Sequence, residues 1–383
     1  MNILHLNSNY LHSPLYSEMI NELEKYGIDS KILMPRKLND NKHINSNLLD
    51  NKATIEYKQF LKPIDRFFYF KKQKKIKKWL KSINIKLENY DVIHAHTLFS
   101  DGYQAFKSNR PYVITVRNTD VNYYLKYYKH LRNTGRKILN NASAIIFLSE
   151  SYKYKTIENL YVNHEDIKNI KSKSYTIPNG INQYWINNKV NEKKQISNKI
   201  NFLFVGRIMK NKNIEILAEN LNEKYFSNNI KIYIIGDVID HDYYEYLKKY
   251  KNLVFLGSKS KEEISEIMKK MHIFTLVSHH ETFGLVYLEA LTQNLPVIYT
   301  KDEGFDKYFL EGTVGYPVNS NSGIDLIKKT KMIINNYSQI QNNLKDLNKQ
   351  AFSWEQNALY HKDIYIKICL LYTSLSGLAR QTD

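Results

Sequence analysis

The chain has 383 residues, 43% of them hydrophobic, with 13 Gly and 7 Pro, which is long for one domain, comfortable for two, and excludes a disordered or collagen-like protein. Its single cysteine, Cys369, excludes an internal disulfide and points to a reducing, cytoplasmic setting, while no apolar run reaches the roughly 18–20 residues of a membrane span and no signal peptide is expected. The net charge of +18 is uneven, with 31 basic and 16 acidic residues in 1–190 against 25 and 22 in 191–383, so the N-terminal half suits an anionic partner such as a lipid surface or a nucleic acid, unless codon bias toward Lys, Asn, Ile and Tyr accounts for it.

The first predicted strand covers residues 2–6, followed by a polar loop and a helix through Tyr16, Ile20 and Leu23 that stops at Gly27. A second strand at 30–34 completes a βαβ unit and implies a parallel sheet. Residues 66–86, RFFYFKKQKKIKKWLKSINIK, hold nine Lys or Arg and no acid. Ile76, Trp79, Leu80 and Ile83 share one helical face there. Such a helix packs its apolar face on a sheet, and its lysines are either merely solvated or free to meet an anionic membrane. Further strands are predicted at 91–95, 112–116 and 144–148.

The pattern breaks at Pro178-Asn179-Gly180, a turn signal, and the polar stretch after it reads as a linker, placed at 183–200. A second βα series follows with strands at 201–205, 231–235, 253–256, 273–277 and 297–300. The chain therefore reads as α/β with two doubly wound domains, 1–182 and 201–352. Residues 353–383 are expected as a C-terminal helix and tail packing back on the N-terminal domain. In such sheets ligands bind at the carboxyl ends of the strands.

Two of those strand ends carry candidate chemistry. In SHHETFGLVYLEALTQNLP, residues 278–296, Glu281 lies in a loop and Glu289 inside the following helix. Between them Phe283, Gly284 and Leu285 offer backbone N–H groups at a helix N-terminus, suited to a phosphate, and Gly284 permits close approach. The flanking carboxylates could hold sugar hydroxyls; a dipole-favoured Glu and a salt-bridged helix Glu would look the same in sequence. In the second, the strand 201–205 ends at Gly206-Arg207, and a short loop delivers Lys212 to the next helix start. These two cations could clamp a diphosphate, or be solvated surface charges.

The runs FVGRIMKNK (204–212), ETFGLVYLE (281–289) and YTIPNGIN (175–182) together resemble the family 4 retaining glycosyltransferases of the GT-B fold, across roughly residues 1–369. The resemblance implies two Rossmann-like doubly wound domains facing across a cleft, the N-terminal one on the acceptor side and the C-terminal one binding a nucleotide sugar. It assigns Arg207 and Lys212, beside Gly206, to the donor diphosphate, Glu289 to the ribose hydroxyls and Glu281 to the donor sugar. The amides of Phe283, Gly284 and Leu285 would contact sugar or phosphate. Positioned cations and N–H groups stabilise a leaving diphosphate without a metal, so no metal and no cofactor is expected, and the substrate is a nucleotide-diphosphate sugar, UDP-sugar by preference.

In the N-terminal half the strand 91–95 leads to His94 and His96, expected to face opposite sides. Family likeness assigns His96 to the donor sugar, with a packed or surface histidine as the alternative, and His94 to sheet packing. No nearby Cys or carboxylate cluster completes a metal set for the pair. Arg117 stands where relatives often have His, and with Asp120 and Ser149 it is an acceptor-side candidate; Asp120 reads equally as a helix N-cap. The first loop, Ser8 to Ser13, lacks the paired glycines of relatives. Asn294 replaces a common Gly, and Gly304-Phe305-Asp306 a common Gly-Gly run. Asp240-His241-Asp242 is formally an Asp-x-Asp metal signature, read here as a solvated loop.

The function expected is transfer of a hexosyl or N-acetylhexosaminyl group to a cell-surface glycan or lipid-linked acceptor, in capsule, teichoic-type polymer or glycolipid synthesis. The setting is cytoplasmic, peripheral on the inner membrane face through residues 66–86. A protein acceptor is the alternative. A basic nucleic-acid-binding protein is the non-enzymatic one, disfavoured because no nucleic-acid motif is present and the Glu-x7-Glu window would have no role; no nucleic-acid partner is expected.

Overall fold

A computed structural model describes residues 1–38 and 53–379. The chain divides into two compact units. One holds residues 1–148, 152–180 and the chain from Trp354 onward, and the other residues 149–151 and 181–353.

The first unit is built on seven parallel strands: β1 (Asn2–Leu6), β2 (Asp29–Lys37), β3 (Thr54–Leu61), β4 (Val92–Ala95), β5 (Tyr112–Val116), β6 (Ala144–Phe147) and β7 (Ser174–Thr176), in the order β3-β2-β1-β4-β5-β6-β7. Helices cover both faces, so the central strands are buried and, apart from Asn2, His5, His94 and Thr115, apolar, and alternate residues feed two separate cores. Leu4, Leu6, Leu33, Ile93, Ile114 and Phe147 enter one; Ile3, Ile32, Val92, Val113 and Ile146 enter the other. The C-terminal helix Trp354–Ala379 lies on the second face through Trp354, Ala358, Tyr365 and Ile368, a three-and-four spacing that keeps one stripe inward. A Cβ on Gly180 would fall 2.6 Å from Trp354 N, so that close passage of two backbones requires glycine.

The second unit repeats the plan with β8 (Lys199–Val205), β9 (Asn229–Ile235), β10 (Leu253–Gly257), β11 (Ile273–Leu276), β12 (Val297–Thr300) and β13 (Gly315–Val318), in the order β10-β9-β8-β11-β12-β13. Both units are therefore Rossmann-like, and in each the strand order reverses beside the first strand. Crevices open at such reversals, here at β1/β4 and at β8/β11.

Three strands escaped the sequence pattern, β3, β7 and β13, and all are edge strands. β3 is largely exposed, β7 has three residues, and β13 is Gly-Tyr-Pro-Val; edges need no continuous apolar run and tolerate proline. The expected linker is also structured at its start. Residues Gln183–Asn187 form a helix whose Trp185 and Ile186 sink into the second unit's core. No helix among the described residues is long and apolar enough to cross a membrane.

Candidate functional site

The reversal at β8/β11 gathers the C-terminal candidates. After β8, Gly206 N donates to Ile235 O at 2.9 Å. The close approach there is demanded of Gly236 (φ +147), whose Cβ would lie 2.0 Å from Gly206 O, whereas Gly206 itself has ordinary room. Lys212 ends a short 3-10 turn, and Asn213 follows it in the left-handed region, φ 53. Asn213 Nδ2 donates to Val277 O and Ser320 O at 3.2 and 2.7 Å, and Asn211 O accepts from His279 N at 2.9 Å. The loop after β8 is thus stapled to the loop after β11, which carries Lys212 Nζ to within 2.7 Å of Glu281 Oε2. Each of these two side chains is 14% exposed.

Glu281 is held on every side. Thr282 N donates to its Oε1 at 3.1 Å, Ser278 Oγ to its Oε2 at 3.4 Å, and its own N–H donates to Glu303 Oε2 at 2.9 Å. Gly304 N closes the loop onto Glu281 O at 3.3 Å, and a Cβ on Gly304 would overlap Thr282 O at 1.8 Å. Gly284 caps the helix Leu285–Thr292 at φ +78, where a Cβ would strike the Tyr287 ring at 2.5 Å. Tyr287 N already donates to Gly284 O at 2.9 Å, so the amides that this helix start leaves without intrahelical acceptors are those of Leu285 and Val286, an anion cradle beside the Lys212–Glu281 pair. Phe283 is buried against Phe305 and Tyr308 and fixes the cradle. Glu289 lies inside the helix; burial pushes its carboxyl up to about 7, with the Trp185 indole pulling it back down. Arg207 is exposed, available to a ligand arriving from solvent. Glu303, Gly236 and Ser278 were not found from sequence: Glu303 and Gly236 act on segments distant in the chain, and Ser278, only three residues from Glu281, carries no pattern that marks its hydroxyl.

The reversal at β1/β4 gathers histidines. The β1/β4 register sets His5 beside His94, and His94 and His96 stack at 4.2 Å between ring centroids. The expectation that the two face opposite sides is therefore corrected, because a strand's two-residue period returns i and i+2 to one face. His5 Nδ1 meets His96 Nε2 at 3.0 Å, His94 bonds Tyr365 OH at 2.6 Å and Thr115 Oγ1 at 2.7 Å, and His361 stacks on His94. All four rings are buried, and desolvation lowers His5 to about 3, His361 to about 4, and His94 and His96 well below the usual histidine value. His96 Nδ1 has no hydrogen-bond partner among the described residues. Ring nitrogens of His5, His94 and His96 lie within 4.8 Å of one another, so a third histidine does stand beside the pair. Both nitrogens of His94 are nevertheless engaged by hydroxyls, and the group is held as a hydrogen-bonded network.

Arg117 Nε donates to His96 O at 3.1 Å while its guanidinium lies 4.5 Å from the Tyr16 ring centroid. Asp120 is fully buried and is not the N-cap, which is Thr119; it accepts from the N–H groups of Leu98, Phe99 and Arg117 at 2.9–3.1 Å. Desolvation raises it to about 6. It ties the loop after β4 to the loop after β5 and offers no exposed carboxylate. Ser149 lies two residues past the end of β6 and is buried. Asp240 Oδ1 caps the helix His241–Leu247 by accepting from Tyr243 N at 3.0 Å, an ordinary cap role for the first carboxylate of the Asp-x-Asp run.

Two family descriptions match consecutive stretches of this chain: "Glycosyltransferase Family 4" over residues 16–183 and "Glycosyl transferases group 1" over residues 186–354. It is 28% identical over 298 residues to an uncharacterised glycosyltransferase of Methanocaldococcus jannaschii, covering 73% of this chain and 76% of that protein. It is 29% identical over 314 residues to the alpha-monoglucosyldiacylglycerol synthase of Acholeplasma laidlawii, covering 74% and 75%. Among solved structures, Anabaena HepE in complex with UDP superposes with a TM-score of 0.69 at 18% identity, covering 95% of this chain and 99% of that one, a likeness of fold.

Proposed function

The chain belongs to glycosyltransferase family 4, with the two Rossmann-like units of the GT-B fold, and from that membership we propose a retaining transfer from a nucleoside-diphosphate sugar, UDP-sugar by preference, to a lipid-linked or cell-surface glycan acceptor. The observation that carries the donor half is the Lys212–Glu281 pair, poised beside the helix N-terminus at Gly284. Without ligand the two charges neutralise each other. When a diphosphate arrives, Lys212 gains a doubly anionic partner and Arg207 closes on it from solvent, while the amides after Gly284 take a phosphate or sugar oxygen. Glu281 is then released to accept donor-sugar hydroxyls, and Glu289 takes the ribose hydroxyls.

As the glycosidic bond breaks, negative charge grows on the diphosphate, and the same cations and amides stabilise it in place. His96 Nδ1, buried without a partner, is the N-terminal group proposed for a donor-sugar hydroxyl. Transfer of a hexosyl or N-acetylhexosaminyl group needs no metal in this scheme. The acceptor class is proposed from the glycolipid-synthase relative and from the basic helix Tyr69–Ser82, whose Lys71, Lys74, Lys77 and Lys78 are exposed beside the exposed Phe67, Phe68 and Phe70. That combination suits an anionic membrane face.

Calorimetry with UDP tests the donor half. Arg207→Ala and Lys212→Ala should each weaken binding at least tenfold, as hydrogen bonds to charged groups are worth roughly 1.5–3 kcal/mol. Glu281→Gln and His96→Ala should keep UDP binding and lose transfer. Unchanged UDP affinity in folded Arg207→Ala and Lys212→Ala variants would remove the phosphate clamp.

A further inference from the structure

We infer that the first unit holds a second ligand site, an apolar cavity under the basic helix that takes the acyl chain of an anionic lipid. The helix Tyr69–Ser82 is tied down firmly in its first half. Tyr69 OH donates to Phe99 O at 3.0 Å, and Gln73 Nε2 to Phe99 O and Ser100 O at 3.1 Å. Toward its end Leu80 and Ile83 are only partly buried, and the chain turns away at Asn84, φ 48. The gap left between helix and sheet is a cavity of about 220 Å³. Leu80, Ile85 and Leu87, each partly buried, line it, and at its base it reaches Leu4, Leu6 and Leu33 of β1 and β2, which are almost fully buried. A narrower space beside it shares Leu6, Leu33 and Leu80 and is walled by Trp79.

Protein interiors leave few voids larger than a water molecule, and a dry apolar cavity on the order of 150 Å³ already accepts a benzene-sized guest. This one is larger, and it opens outward rather than lying sealed in the core. The charged groups lining it are Lys77, Lys81 and Lys107, with no acidic residue among them. Lysine stems lie along apolar walls while their ammonium groups stay in water. A guest therefore needs an apolar tail and an anionic head. Lys71, Lys74, Lys78 and the exposed Phe70 of this helix, with the exposed Phe67 and Phe68 just before it, suit the surface where such molecules are concentrated. The inference rests on the membrane reading of this helix, and adds that one lipid enters the protein rather than only its surface meeting the bilayer.

The probe is a lysophosphatidylglycerol carrying bromine on its chain, used below its micellar concentration with the full chain. Saturable quenching of tryptophan fluorescence is expected, lost in Trp79→Phe and retained on replacing either of the other tryptophans, Trp185 and Trp354, by Phe. Filling the cavity with Leu87→Phe or, as a second variant, Ser108→Leu should weaken binding at least tenfold with the melting temperature maintained. Lys77→Gln, Lys81→Gln and Lys107→Gln together should erase the preference over the zwitterionic lysophosphatidylcholine of the same chain. Equal quenching by both lysolipids in the wild type, unchanged binding in folded cavity-filled variants, or equal competition by glycerophosphate without a chain would overturn the site. Vesicle sedimentation reads the outer lysines separately, so the membrane reading and the cavity can fail independently.

Discussion

Glu281 lies 2.7 Å from the Lys212 ammonium, whereas Glu289, inside a buried helix, is desolvated and pushed up to about 7. Its folded value exceeds that of an unfolded chain, so its stabilising contribution is complete below the ordinary glutamate range and is lost as pH rises through about 7. Ligand binding runs the other way, since an ionised carboxylate accepts ribose hydroxyls more strongly than a neutral acid. UDP affinity should therefore rise from pH 6 to pH 8, and Glu289→Gln should flatten that profile and weaken binding about tenfold at pH 8. Calorimetry at the two pH values checks this; an equally steep profile in Glu289→Gln would place the titrating group elsewhere. The Glu-x7-Glu spacing and the Gly-Arg-x4-Lys run were legible in sequence because each lies within one strand–loop–helix. Glu303 was not, because its bond to Glu281 N joins loops that follow different strands.

The basic helix shows how much an element's environment changes the meaning of its charges. Composition presents a uniform lysine face, yet Lys75 is paired with the buried Asp65 at 2.7 Å. Lys72 reaches Ser100 Oγ at 3.3 Å, and desolvation lowers its ammonium below the usual lysine value. These two belong to the fold. A charge test of the membrane face should spare them, and it should also spare Lys77, which lines the cavity. The triple variant Lys71→Gln, Lys74→Gln, Lys78→Gln keeps both ties and the apolar stripe of Ile76 and Trp79. With each surface lysine worth about 1 kcal/mol at an anionic membrane, sedimentation with anionic vesicles should weaken on the order of 100-fold at low salt. Neutral vesicles should show no difference between variant and wild type. A wild type that stays in the supernatant at low salt would leave the lysines as a solvated face.

On the scale of the whole molecule the two units should respond to acid to different degrees. The first buries four histidines, His5, His94, His96 and His361, with folded pKa values depressed by burial. An unfolded chain binds protons there that the native unit refuses, so stability is full above about pH 6.5 and falls as pH drops. His361 alone contributes about 2 kcal/mol of that loss between pH 6.5 and 5. Asp101 and Asp120, raised by burial in the same unit, oppose it, two groups against four. In the second unit Glu289 gains stability over the same fall, opposed by a single histidine, His272, whose pKa burial also lowers. Hydrogen exchange should thus show protection of Val92–Ala95 dropping from pH 7 to pH 5 while that of Val297–Thr300 holds, with His361→Gln shrinking the drop. Equal loss in both strands would refute the assignment. The sequence by itself determined the two α/β units and the central strands and marked the donor-site candidates, because strand–loop–helix signals and anion-binding loops are local in the chain. Only the tertiary structure decided that Asp120 is a buried tether, that two helix lysines, Lys72 and Lys75, are tied to neighbouring side chains, and that His5 and His361 join His94 and His96. Those outcomes depend on strand register, on which face the C-terminal helix covers and on how far each charge is removed from water.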